Sequence, residues 1–243
     1  MRIPRVYQDA ALINGQNLSL SVETAHHLIN VLRMKQGQMI YIFNGQGGYF
    51  EATIKLITKR QIEIIIGEYH DVENESQLYI TLAQGISRGQ RMDYTLQKAV
   101  ELGVSRIVPI MCQYGNVKLD KQQQQKRIDH WQKIIIGACE QSGRNRLPLL
   151  NIPVNFTDWI NEESSGLKIL LHPSRENSLD MYQPKNNHII LLAGPEGGFS
   201  DPEVESAIKC GFNPVTLGPR VLRTETIALA AITASQVLWG DMH

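Results

Sequence analysis

The chain has 243 residues, with 24 lysines and arginines against 24 aspartates and glutamates, so its formal net charge at pH 7 is zero. That length allows one large domain or two modest ones and buries a core without staples, while the charge balance excludes a long basic tail for nucleic acid and leaves only a local basic patch open. Cys112, Cys139 and Cys210 are scattered singly, with no zinc-ligand spacing, so neither a disulfide framework nor a metal is expected.

In chain order, the opening "MRIPRVY" has no apolar run behind it, so no signal peptide is expected. "SVETAHHLINVLRM" places Ala25, Leu28, Ile29 and Leu32 at helical spacing and predicts a helix over Glu23–Arg33. From Gln38 to Tyr69 apolar and polar residues alternate around Asn44-Gly45 and Gly47-Gly48 and again around Lys59-Arg60-Gln61, which predicts hairpin strands. Residues 1–72 therefore read as a small β-barrel-like domain. "DVENESQ", Asp71–Gln77, is polar and acidic and is the linker candidate. Residues 73–243 then alternate strand, loop and helix, which implies a mostly parallel sheet. In "SDPEVESAIKCG", Ser200 is the expected helix N-cap, Glu203 completes a capping box and Gly211 ends the helix. "TETIALAAITASQVLW" is a final helix, apolar enough to be buried all round. No apolar stretch reaches the roughly 18 residues of a membrane span, so a cytoplasmic protein is expected.

Ligands of open α/β sheets gather at the carboxyl ends of the strands. Three loops there stand out: "LLHPS" at 170–174, "LLAGPEGGFS" at 191–200 and "LGPRVLRTET" at 217–226. The glycines of the second loop admit close backbone approach, although the loop fits neither a phosphate-cradle nor a dinucleotide fingerprint. A plain strand-to-helix connection is the alternative. Glu196 could hold a cation, orient a polar ligand or face solvent. Arg220 and Arg223 suit a phosphate, a ligand carboxylate or Glu225, against the ordinary fate of a surface arginine. Thr224, Glu225 and Thr226 also serve as first-turn capping residues. Arg144 and Arg146, beside Gln141, Ser142 and Asn145, read as a polynucleotide contact. Arg2, Arg5, Arg33 and Lys35 do so more weakly.

These segments together with "VLRM", "QGISRGQRMDYTLQKAVELGV" and "QKIIIGACEQSGRNRLP" resemble the 16S rRNA uridine-N3 methyltransferases of the SPOUT superfamily, over essentially the whole chain. The resemblance implies a PUA-like RNA-binding β-barrel over 1–72 and an α/β domain over 73–243 whose C-terminal part forms a deep trefoil knot. It implies a homodimer that methylates uridine 1498 of 16S rRNA, by the usual rRNA numbering, with S-adenosylmethionine and no metal. The cofactor site would comprise Leu171, His172, Pro173, Leu192, Gly194, Pro195, Glu196, Gly197, Gly198, Leu217, Gly218, Arg220, Val221, Leu222 and Thr226. Arg223 and Glu225 would be catalytic, and Arg2, Arg5, Arg33, Arg88, Arg144 and Arg146 would meet RNA. The rivals are a non-catalytic RNA-binding assembly factor and a dinucleotide-dependent oxidoreductase. The oxidoreductase lacks the glycine fingerprint and the ribose-binding acid.

Overall fold

The computed structural model of the chain describes residues 3–58, 61–115, 120–162, 165–173 and 177–243. Arg2, one of the expected RNA contacts, lies outside these residues, as do Lys59, Arg60 and Ser174. Contacts divide the chain into two units, Met1–Glu75 with Cys139–Leu147, and Ser76–Ala138 with Pro148–His243. The segment 139–147, which the sequence assigns to the second domain, thus belongs to the first unit.

The first unit holds β1 (Arg5–Tyr7), β2 (Asn17–Ser19), α1 (Val22–His26), β3 (Met39–Phe43), β4 (Tyr49–Ile57) and β5 (Ile62–His70). They form one five-stranded sheet in the order β1-β3-β4-β5-β2. Alternation decides which face is inside: Ile40, Ile42, Ile54, Ile62, Ile64 and Ile66 are buried and pack with Val6, Leu20, Ala25 and Leu28. Burying one such side chain is worth about 1.5–3 kcal/mol. The expected hairpin joins β3 and β4, where the Asn44 side-chain carbonyl accepts the Gln46 N–H at 3.2 Å. Among the described residues the strand pairings run in one path from β1 to β2.

The predicted helix over 23–33 is shorter. The Ser21 hydroxyl accepts the Thr24 N–H at 3.2 Å and starts α1, but from His27 to Val31 the backbone widens into a π-turn. Asn30 donates its side-chain amide to His26 O at 3.2 Å, an interaction that competes with regular helix. Arg33 follows with φ +54, which for an arginine ends any helix.

The acidic segment after β5 is anchored, not a free linker. Glu75 takes the Arg144 guanidinium through two nitrogens, one at 2.9 Å, and Glu73 pairs with Arg146. Asn74 donates to Gly143 O at 3.1 Å, and Asn145 donates to Val72 O while accepting from Arg5. Arg144 is 4% exposed. Its expected phosphate contact is corrected: a buried guanidinium closed on a carboxylate holds the fold and is not presented to RNA. Arg5 is half-buried with its guanidinium 4.8 Å from the Tyr49 ring centroid. Arg146 keeps a side chain 54% exposed, and Arg33 is exposed.

The second unit contains β6 (Tyr79–Gly85), α2 (Gln90–Glu101), β7 (Arg106–Met111), α3 (Lys121–Ser142), β8 (Leu149–Leu150), β9 (Val154–Asn155), α4 (Phe156–Ile160), β10 (Leu167–Leu171), β11 (His188–Ala193), α5 (Asp201–Lys209), β12 (Asn213–Val215) and α6 (Thr224–Trp239). The last turn of α3, from Cys139, falls in the first unit. The sheet runs β12-β10-β11-β6-β7-β8, with β9 also on β7, and every pairing is parallel. Its strands are near-continuous apolar runs because helices cover both faces. Ile190, Leu192, Leu170, Ala83 and Val108 pack with Phe156, Trp159, Val204 and Phe212 of the α4 and α5 side. Alternate residues of the same strands, Ile189, Leu191, Ile80 and Leu82, are equally buried, on the side where α6 packs against α2, β6 and β11. The expectation that α6 is buried all round is corrected. Thr224, Ala228, Ala231, Ile232 and Ser235 are buried, whereas Thr226, Val237 and Leu238 are exposed. The capping box of α5 is present: Glu203 Oε2 accepts the Ser200 N–H at 2.8 Å and its hydroxyl at 3.0 Å.

The second unit is accordingly described as a parallel α/β sheet with helices on both faces, and the trefoil knot expected from the resemblance has no part in that description. Motifs specify loops and strand ends; they do not encode how a chain threads. Among the described residues no helix is long and apolar enough to cross a membrane.

Candidate active site

β12, β10 and β11 are parallel neighbours, so their carboxyl ends and the three loops that follow share one edge. Leu170 pairs with Leu192 and Leu171 with Val215, which brings the exits level. Hydrogen bonds join the loops. The His172 N–H donates to Val215 O at 3.0 Å, and the Thr216 hydroxyl donates to His172 O at 2.8 Å. The Thr224 hydroxyl donates to Gly194 O, and the Gln84 amide reaches Thr224 Oγ1 at 3.0 Å. Within the second loop the Gly198 N–H donates to Pro195 O at 2.9 Å, with Gly198 at φ +71. Gly85, ending β6, lies so close that a Cβ there would stand 2.4 Å from Pro195 N.

The structure sorts the expected cofactor residues. His172 is half-buried and Pro173 exposed, with Gly194, Pro195, Gly197 and Gly198 along the same edge. Leu217 and Leu222 are half-buried and Val221 is 85% exposed. Leu192 is corrected: it is fully buried in the core, so it supports the loop and offers no face to a ligand. Leu171 is likewise a buried strand residue.

The two arginines differ from those at 144 and 146. Arg220 and Arg223 are exposed, and among the described residues neither makes an ion pair. Arg223 occupies the N-cap of α6 with extended φ −64 and ψ 156. Glu225, in the first turn, has its Oε2 buried with no hydrogen-bond partner among the described residues. A buried carboxylate oxygen without a donor costs stability until a donor arrives. Thr226 is exposed on the same turn.

Glu196 makes contacts that its place in a glycine loop did not suggest. Its Oε1 accepts the Arg88 N–H at 3.0 Å and the Arg91 Nη1 at 3.1 Å. Partial burial pushes its carboxyl up, but the hydrogen bonds from Arg88, its own backbone and Arg91, with the Arg91 charge, outweigh that and hold it below 4.5. The carboxylate thus ties the glycine loop to the start of α2. The expected contact of Arg88 to RNA concerns its exposed guanidinium, since its N–H is used here. A depressed carboxyl contributes fully above its ordinary value and is lost as pH falls through the lowered one. Amide exchange of Gly197 and Gly198, corrected for intrinsic rate, is therefore expected to speed up only once pH drops below the ordinary glutamate range. Glu196→Gln should abolish that pH dependence; a dependence that persists in the variant would assign it elsewhere.

A cavity of about 600 Å³ is lined by Cys112, Gln113, Asn155, Phe156, Thr157 and Glu203 among others, with Phe156 against Phe199 at the end of the glycine loop. The charged and unpartnered groups, however, are on the loops after β11 and β12. In the cavity wall Glu203 is satisfied by Ser200 and by the Gln113 N–H at 2.8 Å, and burial pushes the Cys112 thiol up, away from reactivity. No group of three or more metal-ligating side chains occurs among the described residues.

Sequence reasoning missed Gln84, Gly85 and Arg91 as parts of the site. A glutamine at the end of the apolar run "LYITLAQG" was the available signal, since a buried amide needs partners.

Residues 74–236 match the family model for an RNA methyltransferase domain, and residues 20–67 that for an RNA methyltransferase PUA domain. The chain is 40% identical over 242 residues to Ribosomal RNA small subunit methyltransferase E of Buchnera aphidicola subsp. Schizaphis graminum, covering 99% of this chain and 98% of that one. It is similar to a Legionella pneumophila methyltransferase solved with bound S-adenosylmethionine, with TM-score 0.96, 43% identity and full coverage of both chains. It is also similar to Ribosomal RNA small subunit methyltransferase E of Neisseria gonorrhoeae bound to S-adenosyl methionine, with TM-score 0.93, 40% identity and full coverage of both. These matches correct the superfamily expectation: they describe an RNA methyltransferase domain with a PUA domain, and none describes a SPOUT or trefoil-knot fold. With that label removed, what the matches establish over nearly its whole length is that the chain belongs to the ribosomal RNA small subunit methyltransferase E family.

Proposed function

We propose that the protein transfers the methyl group of S-adenosylmethionine to N3 of uridine 1498 in 16S rRNA. The class of reaction, S-adenosylmethionine-dependent methylation of small-subunit rRNA, stands on the family and on the two cofactor-bound relatives. The observation that carries the site assignment is the stitched edge where the loops after β10, β11 and β12 meet Arg223 and Glu225.

The residues present fit the cofactor. Gly198 and Gly218 adopt φ +71 and +75 with open space where a side chain would stand, so backbone groups are accessible to adenine and ribose. Leu217, Val221 and Leu222 supply apolar surface. Arg220 meets the cofactor carboxylate or an RNA phosphate. When bound, the cofactor supplies an electrophilic methyl on a sulfonium. Uracil N3 carries a proton and is a poor nucleophile until it leaves, so the protein must provide a base or stabilise the developing uridine anion. Arg223, exposed and without an ion-pair partner among the described residues, is the cation. Glu225, with its orphaned Oε2, accepts the proton or orients Arg223.

RNA is held by exposed guanidinium groups, with Arg33, Arg88 and Arg146 as the surface candidates. We further propose a cytoplasmic homodimer in which the partner chain completes each site. The free thiols and the exposed apolar residues Val237 and Leu238 on α6 support this.

The test is Arg223→Ala. S-adenosylmethionine affinity should be retained while methylation of 16S rRNA, read by mass spectrometry of the rRNA fragment, falls at least about tenfold, or about 1.4 kcal/mol of barrier. Unchanged turnover would remove Arg223 from the chemistry.

A further inference from the structure

Gln84, the last residue but one of β6, is 0% exposed and paired in register with Ala193 on one side and Pro109 on the other. Its amide nitrogen lies 3.0 Å from Thr224 Oγ1, 3.1 Å from Gly85 O and 3.4 Å from Gly194 O. Thr224, 7% exposed and the first residue of α6, donates its own hydroxyl to the same Gly194 O. Three pieces of chain therefore meet at one amide: the end of β6, the glycine loop and the start of the helix that carries Arg223 and Glu225. Gly85 keeps them close, because any side chain there would run into Pro195.

The other end of that amide is unusual. Gln84 Oε1 is buried and has no hydrogen-bond partner among the described residues. Turning the amide over would set its oxygen against Gly85 O and Gly194 O, two acceptors, so the orientation is fixed by the backbone around it. A buried acceptor without a donor lowers stability. A methionine of similar bulk would fill the space without that cost. Packing therefore gives no reason for a glutamine here, while geometry does: an amide N–H holds two backbone segments that an apolar side chain would leave free to slide.

We infer that Gln84 is a positioning residue for methyl transfer, fixing the glycine loop and the first turn of α6 at one separation through Thr224. The inference rests on the methyltransferase reading above. Gln84 and Thr224 touch no reacting atom in this scheme; they act through Gly194 on the cofactor loop and through α6 on Arg223 and Glu225. Misplacement of reacting groups by about 1 Å is enough to lower a rate about 100-fold.

The experiment compares Gln84→Met, Thr224→Val and Thr224→Ser in the full chain, reading Tm, S-adenosylmethionine affinity and kcat and KM for 16S rRNA. Gln84→Met should keep Tm within about 2 °C of the parent or raise it, since it removes an orphaned acceptor, while kcat falls at least about tenfold. Thr224→Val should lower kcat in the same way, and Thr224→Ser, which keeps the hydroxyl, should restore it to within about threefold of the parent. Parental kcat in Gln84→Met would overturn the inference. So would a kcat loss that Thr224→Ser shares equally with Thr224→Val, because bulk and not the hydroxyl would then matter. If Gln84→Met does not fold, the Thr224 pair decides alone. A parent chain that transfers no methyl group would instead defeat the function proposed above, a result distinct from any of these.

Discussion

Replacing Arg144 by alanine is expected to destabilise the first unit by about 3 kcal/mol, at the lower end of the range for breaking one side of a buried ion pair. The Arg144 side chain is 5% exposed and that of Glu75 19%, so little solvent screens the pair. Truncation leaves the Glu75 carboxylate with neither its charge partner nor its two hydrogen bonds. The neighbouring contacts share the clasp: Asn145, between Arg5 and Val72 O, is fully buried. Urea denaturation followed by tryptophan-independent far-UV signal checks the value. Glu75→Gln should cost less, since its amide oxygen still accepts one N–H. A loss below about 1 kcal/mol, the ordinary value of an exposed pair, would return Arg144 to the surface role that its sequence neighbourhood suggested.

Gly85→Ala is expected to damage both fold and site. The new Cβ would stand 2.4 Å from Pro195 N, 2.5 Å from Pro195 Cδ and 2.8 Å from Gly194 C. Those atoms are backbone or a rigid ring, so no side-chain rotation relieves the clash. Overpacking of this kind costs about 1–3 kcal/mol, and relief by moving the glycine loop would break its bonds to Gln84 and Thr224. S-adenosylmethionine affinity should therefore fall at least about tenfold, measured by titration calorimetry. Gly211→Ala, at the end of α5 and outside the site, is the control, with φ +87 but nothing within 4 Å of its Cβ; it should lose only the cost of the left-handed backbone, about 1 kcal/mol. Equal effects of the two substitutions would mean that close approach at Gly85 does not shape the site.

Much of this was legible in the sequence for physical reasons. The Ser200–Glu203 capping box and the strand alternation of 62–66 follow from local rules. The three ligand-edge loops were legible because parallel strands put their carboxyl ends together. What was not legible came from distant pairing. Arg144 looked like an RNA contact because its partner, Glu75, lies 69 positions earlier. Gln84 was invisible because Thr224 lies 140 positions later. Leu192 was misjudged because both faces of β11 are buried, so adjacency to a loop did not mean exposure. The π-turn at His27–Val31 escaped because apolar spacing over one or two turns does not separate α from π geometry.

The most direct measurement is a crystal structure of the full chain grown with S-adenosylmethionine. The account predicts ligand density against residues 171–173, 194–198 and 217–222, with the methyl group facing Arg223 and Glu225. Density in the cavity beside Cys112 and Phe156, with the three loops untouched, would contradict it.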